Sequence, residues 1–226
     1  SMKPQPADGK TWFMKRSPCD NLSGVAAALA AFDRVRKQRD DRTDLRLLLT
    51  RAEEVGFIGA VAACRHRTVP RGARLIVLEN SKAFDDAPAG GGTIVRVGDR
   101  TSTFDPDLTR RVALAAEQLE QEQPGFRWRR RLMPGGTCEA TAFVAFSHRA
   151  TCVCLPLLHY HNMDEANGTI ASESIDLRDY AHTVALLAAA APRLAETGPP
   201  VVRQRLTALY RQRANLLNAP SAGKGD

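Results

Sequence analysis

Residues 45–64 read Leu-Arg-Leu-Leu-Leu-Thr-Arg-Ala-Glu-Glu-Val-Gly-Phe-Ile-Gly-Ala-Val-Ala-Ala-Cys, and this stretch decides the fold class. Leu45 to Thr50 is a short, nearly continuous apolar run, the pattern of a strand buried on both faces. Arg51 to Val55 is polar and carries two adjacent carboxylates. Gly56 to Cys64 is a run of small and apolar residues that suits a closely packed helix. Strand, acidic turn and helix thus follow one another in the order of an α/β chain.

The same alternation recurs on either side. Thr11 to Met14, Leu75 to Leu78, Thr93 to Val97, Phe126 to Leu132 and Thr151 to Pro156 read as strands. Leu22 to Val35, Pro106 to Gln121, a segment ending at Phe146, Leu177 to Leu194 and Val201 to Leu217 read as helices. Asp20-Asn21 precedes the first helix with good N-cap residue types. Strands interleaved with helices predict a three-layer α/β/α sandwich around a central mixed, largely parallel sheet. Residues 1–217 form the expected domain, and 218–226 a flexible tail.

Composition narrows the function. The 226 residues are 43% hydrophobic and 25% charged, as expected of a globular chain that buries roughly 70–75% of its unfolded surface. No apolar run approaches the ~20 residues of a membrane span. The five cysteines are odd in number and scattered, which predicts buried thiols in a reducing, cytoplasmic setting. The net charge of +7 is partly concentrated in Arg127-Trp-Arg-Arg-Arg131. That run reads better as a solvated arginine face than as a nucleic-acid patch, so no nucleic-acid partner is expected. Gly90-Gly91-Gly92 lacks the Lys-Ser/Thr of a phosphate-binding loop.

The chemistry-bearing residues fall at predicted strand ends or in the turns that follow, where open α/β sheets form their sites. Asp20 opens a helix, Glu53-Glu54 follows Leu45 to Thr50, and Glu79 ends Leu75 to Leu78. His159 and His161 follow Thr151 to Pro156. Singly, each has a plainer explanation. Adjacent glutamates in a turn are usually a solvated pair, an aspartate before a helix is usually a cap, and a lone histidine is usually structural.

Their local contexts, taken in order, resemble the aminopeptidases that use two co-catalytic metals. Cys19-Asp-Asn-Leu-Ser-Gly-Val-Ala-Ala27 is similar to the turn around that clan's bridging aspartate. Arg51-Ala-Glu-Glu-Val-Gly-Phe-Ile-Gly-Ala60 is similar to its "EE-x-G-x-x-G-A" box. Met133-Pro-Gly-Gly-Thr-Cys-Glu-Ala140 resembles its glycine-rich turn, and Pro156-Leu-Leu-His-Tyr-His161 the segment delivering its last metal ligand. The likeness is nearest to the glutamyl aminopeptidase family, with features of the leucine aminopeptidase branch.

That resemblance implies a metal-dependent exopeptidase acting on peptide substrates, with one or two divalent ions (zinc first, cobalt or manganese otherwise) and homo-oligomeric assembly. It implies Glu53 as general base, Asp20 as bridging ligand, Glu54 and His161 completing one site, and Glu79 binding the other ion. Two departures stand out. The family's other site takes a histidine from well before the bridging aspartate, whereas none precedes Asp20 here. The glycine turn carries Cys138-Glu139 where the family has an aspartate. The alternative to an enzyme is a non-catalytic or regulatory relative that binds a peptide or protein partner.

Overall fold

The computed structural model describes residues 5–7, 11–15, 19–38, 44–196 and 200–218. Nine strands and six α-helices are found among them: β1 (Gln5–Ala7), β2 (Thr11–Lys15), α1 (Leu22–Gln38), α2 (Ile58–Arg65), β3 (Arg74–Lys82), β4 (Thr93–Gly98), α3 (Pro106–Glu122), β5 (Trp128–Leu132), α4 (Glu139–Ala145), β6 (Arg149–Leu157), β7 (Met163–Asp164), β8 (Thr169–Ile170), β9 (Ser174–Asp176), α5 (Leu177–Ala195) and α6 (Val201–Arg213). Residues 1–195 make one compact unit, and residues 196–226 a second. In the second, α6 buries no side chain and a 3-10 turn follows over Ala214–Asn218. Of the expected tail, residues 219–226 lie outside the described residues.

The central sheet has the order β3-β6-β4-β5. β3 and β6 are parallel, as are β4 and β5, while β4 and β6 are antiparallel. The period-two alternation of side chains sorts the sheet's residues onto two faces. Val77, Ile94, Cys152 and Cys154 pack with Ala60, Ala63 and Phe143 of α2 and α4. Val95 and Val153 pack on the opposite face with Ala31, Val112 and Leu186 of α1, α3 and α5. β6 is buried at every position from Ala150 to Leu157, as a strand covered on both sides must be. This is the expected three-layer sandwich with a mixed sheet. A second sheet, β1-β2-β9, brings β9 beside the end of β6 through a Leu158–Ser174 bridge.

Two expectations about strands need correction. Leu45 to Thr50 is not a strand. Its successive leucines place apolar groups on both faces, which requires cover on both, and Leu48 and Leu49 remain 41% and 56% exposed. Glu79 does not end its strand either: β3 runs three residues further, to Lys82, held in parallel register with β6 as far as Leu157.

The glycine loop is structural. The Asp179 carboxylate accepts from the amides of Gly90 (2.7 Å) and Gly92 (2.8 Å), fastening the loop to the first turn of α5. The arginine run forms the edge strand β5, where Arg129 and Arg130 are exposed and Arg131 pairs with Asp86 at 3.1 Å. Charge on a sheet edge discourages edge-to-edge pairing. All five cysteines are free and buried, as the sequence suggests, and among the described residues no helix is long and apolar enough to cross a membrane.

Asp179→Ala leaves two buried amides without an acceptor. It should destabilise the chain by about 2–4 kcal/mol, a fall of about 5–15 °C in thermal midpoint, measurable by calorimetry. A shift under one degree would show that the loop does not depend on this carboxylate.

Candidate metal centre

Three chain segments and one strand meet at a cleft of about 1450 Å³. The first segment leads into α1. The Glu173 carboxylate accepts from the amides of Cys19 (2.7 Å) and Asp20 (3.0 Å). The Asn21 side chain donates to the Leu78 carbonyl of β3 at 2.6 Å, and the Ser23 hydroxyl lies 2.9 Å from the Asn80 amide oxygen. Asn21 folds back so closely that a Cβ on Gly24 would lie 2.0 Å from its Oδ1. The glycine at position 24 thus leaves room for the Asn21 side chain to reach β3. The Asp20–Asn21 peptide is cis.

The second segment is a tight turn over residues 51–59. The Glu53 carbonyl accepts from Gly56 (3.1 Å) and Phe57 (2.9 Å), and the Arg51 carbonyl from Gly59 (2.9 Å). Any side chain on Gly59 would meet the Arg51 backbone at 2.4 Å, which explains the second glycine of the box. The third segment leaves β6. His159, His161 and Asn162 all adopt the left-handed conformation, with φ of 52°, 57° and 60°, unusual for residues with a side chain. Such backbone persists only where surroundings fix it: the His161 amide donates to Glu173 Oε1 at 3.1 Å, and its ring stacks on Tyr160 with centroids 3.9 Å apart.

Asp20, Glu53, Glu54, Glu79 and His161 all line the cleft, whereas His159 is not part of its wall. Arg96 reaches across β6 from β4, donates to the Ser81 hydroxyl, and is 1% exposed.

The carboxylates crowd one another. Asp20 is raised to about 7 by burial and by the charges of Glu173 and Glu54, against the opposing pull of Arg96. Glu53 is raised to about 7 by burial, then by Glu54, Glu139 and Asp20. Burial is also the main cause holding Glu79 well above its ordinary value. Partly dehydrated carboxylates with a neighbouring imidazole are the donor chemistry that borderline divalent ions select, so the residues present fit such an ion. Among the described residues, no three His, Cys, Asp or Glu side chains stand close enough to hold one in the arrangement seen.

Two carboxylates escaped the sequence reading. Glu173 holds the Asp20 and His161 segments, and no motif surrounds it. Asp99 follows β4 and accepts from the Cys138 amide (3.0 Å) and Thr141 hydroxyl (2.7 Å). It thus supplies a polar anchor at the glycine turn where the family's aspartate is replaced. Glu139 instead accepts from the Thr50 hydroxyl at 2.9 Å, tying α4 to the segment before Glu53.

The chain belongs to the M42 glutamyl aminopeptidase family, whose model matches residues 3–186. Solved structures that share its fold include the following three. A TET aminopeptidase from the marine sediment archaeon Thaumarchaeota archaeon SCGC AB-539-E09 is 20% identical, with a TM-score of 0.66 over 85% of this chain and 52% of that one. An aminopeptidase from the archaeon Desulfurococcus kamchatkensis is 17% identical, with a TM-score of 0.65 over 89% and 56%. The Pyrococcus horikoshii TET1 peptidase, which can assemble into a tetrahedron or a large octahedral shell, is 24% identical, with a TM-score of 0.56 over 84% and 53%. This chain thus spans about half the length of the structures it matches. No curated protein matches it.

The raised carboxyl groups give a pH dependence with a definite sign. A group raised in the folded state contributes stability that is full below its unfolded pKa, roughly 4, and is lost as pH rises through about 7. His182, which burial holds below its ordinary value, works in the opposite sense, so the comparison requires a variant. The metal-free chain should lose thermal midpoint between pH 5 and 8 relative to Glu53→Gln, as read by scanning fluorimetry. Parallel profiles for the two proteins would remove Glu53 from the strained cluster.

Proposed function

We propose that this chain is the metal-binding, catalytic part of an aminopeptidase that hydrolyses the N-terminal peptide bond of peptides. The observation that carries this reading is the shared cleft. Asp20, Glu53, Glu54, Glu79 and His161, separated by up to 141 positions, line one cavity in a chain of a glutamyl aminopeptidase family.

Asp20, Glu54 and His161 would hold one divalent ion, and Asp20 with Glu79 a second, more weakly. Zinc suits the mixed oxygen and nitrogen donors, as do cobalt and manganese. When bound, the ion supplies Lewis acidity toward the scissile carbonyl and the attacking water. Glu53 takes the proton that water loses and returns it to the departing amine. A base raised to about 7 is well matched to both transfers near neutral pH. The cleft's excess negative charge suits a substrate presenting a protonated α-amino group. We extend the reading to a homo-oligomer, by analogy with the assembling TET1 peptidase, and to a cytoplasmic setting, on the strength of the free buried thiols.

A second reading is a non-catalytic relative that binds a peptide or protein partner. On that reading the same cleft would bind its partner without hydrolysing it. On either reading the chain alone should bind one ion more tightly than the other, and hydrolysis by it should be weak.

Residual hydrolysis of an aminoacyl p-nitroanilide separates the two readings. Glu53→Gln should lower turnover by ~10²–10⁴-fold while zinc affinity, read by titration calorimetry, stays nearly unchanged. Unchanged turnover excludes Glu53 as the base, and no turnover in any form favours the non-catalytic relative.

His161→Ala should weaken zinc binding at least ~10-fold, since it removes one of three ligands, while His159→Ala leaves it within about twofold. The reverse order would transfer the ligand role to His159.

A further inference from the structure

Glu173 is 2% exposed and lies 153 residues from Asp20 in the chain. Its backbone is fixed on the C-terminal side. The adjacent Ser174 exchanges two hydrogen bonds with Leu158 (2.9 and 3.1 Å), and β9 beyond it pairs with β2. From this position one carboxylate reaches two of the chain segments that build the cleft. Oε2 accepts from the amides of Cys19 and Asp20, and Oε1 accepts from the amide of His161. The Glu173 carbonyl also faces the Cys19 thiol, at 3.6 Å.

We propose that Glu173 is a positioning residue of the metal centre, clamping the Asp20 and His161 segments at the spacing at which both side chains reach one ion. The inference rests on the metal-binding reading above and deepens it. Three features support a clamp rather than general packing. All three donors are backbone amides, so the carboxylate sets where the chain runs and leaves the side chains of Asp20 and His161 free to face the cleft. His161 is held in the left-handed region, a conformation the chain does not maintain unaided. An ionised carboxylate is also the side chain suited to three N–H donors, because it accepts only and has about four lone-pair positions. Glutamine has the same shape but must turn its NH₂ toward one of those amides.

The test is a titration of the metal-free chain with Co²⁺, reading affinity together with the visible d–d band, whose shape and intensity report coordination geometry. Glu173→Gln should bind Co²⁺ ~10–100-fold more weakly, the usual effect of losing a residue that orients ligands, with an altered band. Asp179→Asn is the control. It removes the charge of another buried carboxylate that caps backbone amides but holds no proposed ligand segment, and it should stay within about twofold of the parent with the same band. Should Glu173→Gln not fold, Glu173→Asp is read the same way. It keeps the charge but is one methylene too short to reach both segments, so it too should bind more weakly.

Equal affinity and an identical band for the Glu173 variant overturn the clamp and leave the metal reading standing. Equal weakening in the Glu173 and Asp179 variants overturns it as well, since general loosening would then be the cause. No Co²⁺ binding by the parent chain overturns the metal reading, and the clamp with it.

Discussion

Asp20, Glu53 and Glu79 are buried or half-buried in one cleft beside the exposed Glu54, and the rest of the structure must hold them there against dehydration and mutual repulsion. Two like charges ~6 Å apart at an effective dielectric of ~20 repel by about 3 kcal/mol, a sizeable share of the ~5–15 kcal/mol by which a domain is stable. The buried Arg96 guanidinium offsets part of this. Partial proton uptake by Asp20 and Glu53, both raised to about 7, relieves more. A divalent cation would relieve the remainder, so in this fold the metal reading and the stability reading have the same origin.

The framework meets this constraint by anchoring backbone rather than pairing charges. β6, buried on both faces, fixes the positions of β3 and β4, and with them Glu79 and Arg96. Asn21 pins the Asp20 turn to Leu78, the 51–59 turn closes on its own amides, and Glu173 joins the first and third segments. Asp99 and Asp179 act in the same manner at the glycine turn and the glycine loop. Buried carboxylates accepting main-chain N–H groups recur at the loops of this chain, and each turns an irregular segment into a fixed one.

The layered fold was legible because its signals are local. The short apolar runs at Thr93 to Val97 and Thr151 to Pro156, and the helical spacing in Pro106 to Gln121 and Leu177 to Leu194, depend on near neighbours and match the observed elements closely. Asp20, Glu53 and Glu54 were legible because they sit in turns whose glycines and small residues leave a local pattern, as Gly24 and Gly59 do. The strand expected at Leu45 to Thr50 failed because an apolar run reports a need for burial without reporting whether cover is present. Glu173 was illegible for a different reason: its partners lie 12 to 154 residues away, and Ser-Glu-Ser carries no periodicity or motif. Asp99 was hidden likewise by its 39-residue separation from Cys138.

The central claim is that the cleft holds a divalent ion through carboxylate oxygens and the His161 imidazole. Cys138, Cys152 and Cys154 stand beside the same site, so the identity of the donors is the decisive quantity. X-ray absorption at the zinc edge of the chain loaded with one equivalent of Zn²⁺ measures it directly. The account predicts a first shell of oxygen and nitrogen at about 2.0–2.1 Å, with the outer-shell scattering of one imidazole that disappears in His161→Ala. A sulfur shell at about 2.3 Å, or a spectrum without imidazole, would contradict it.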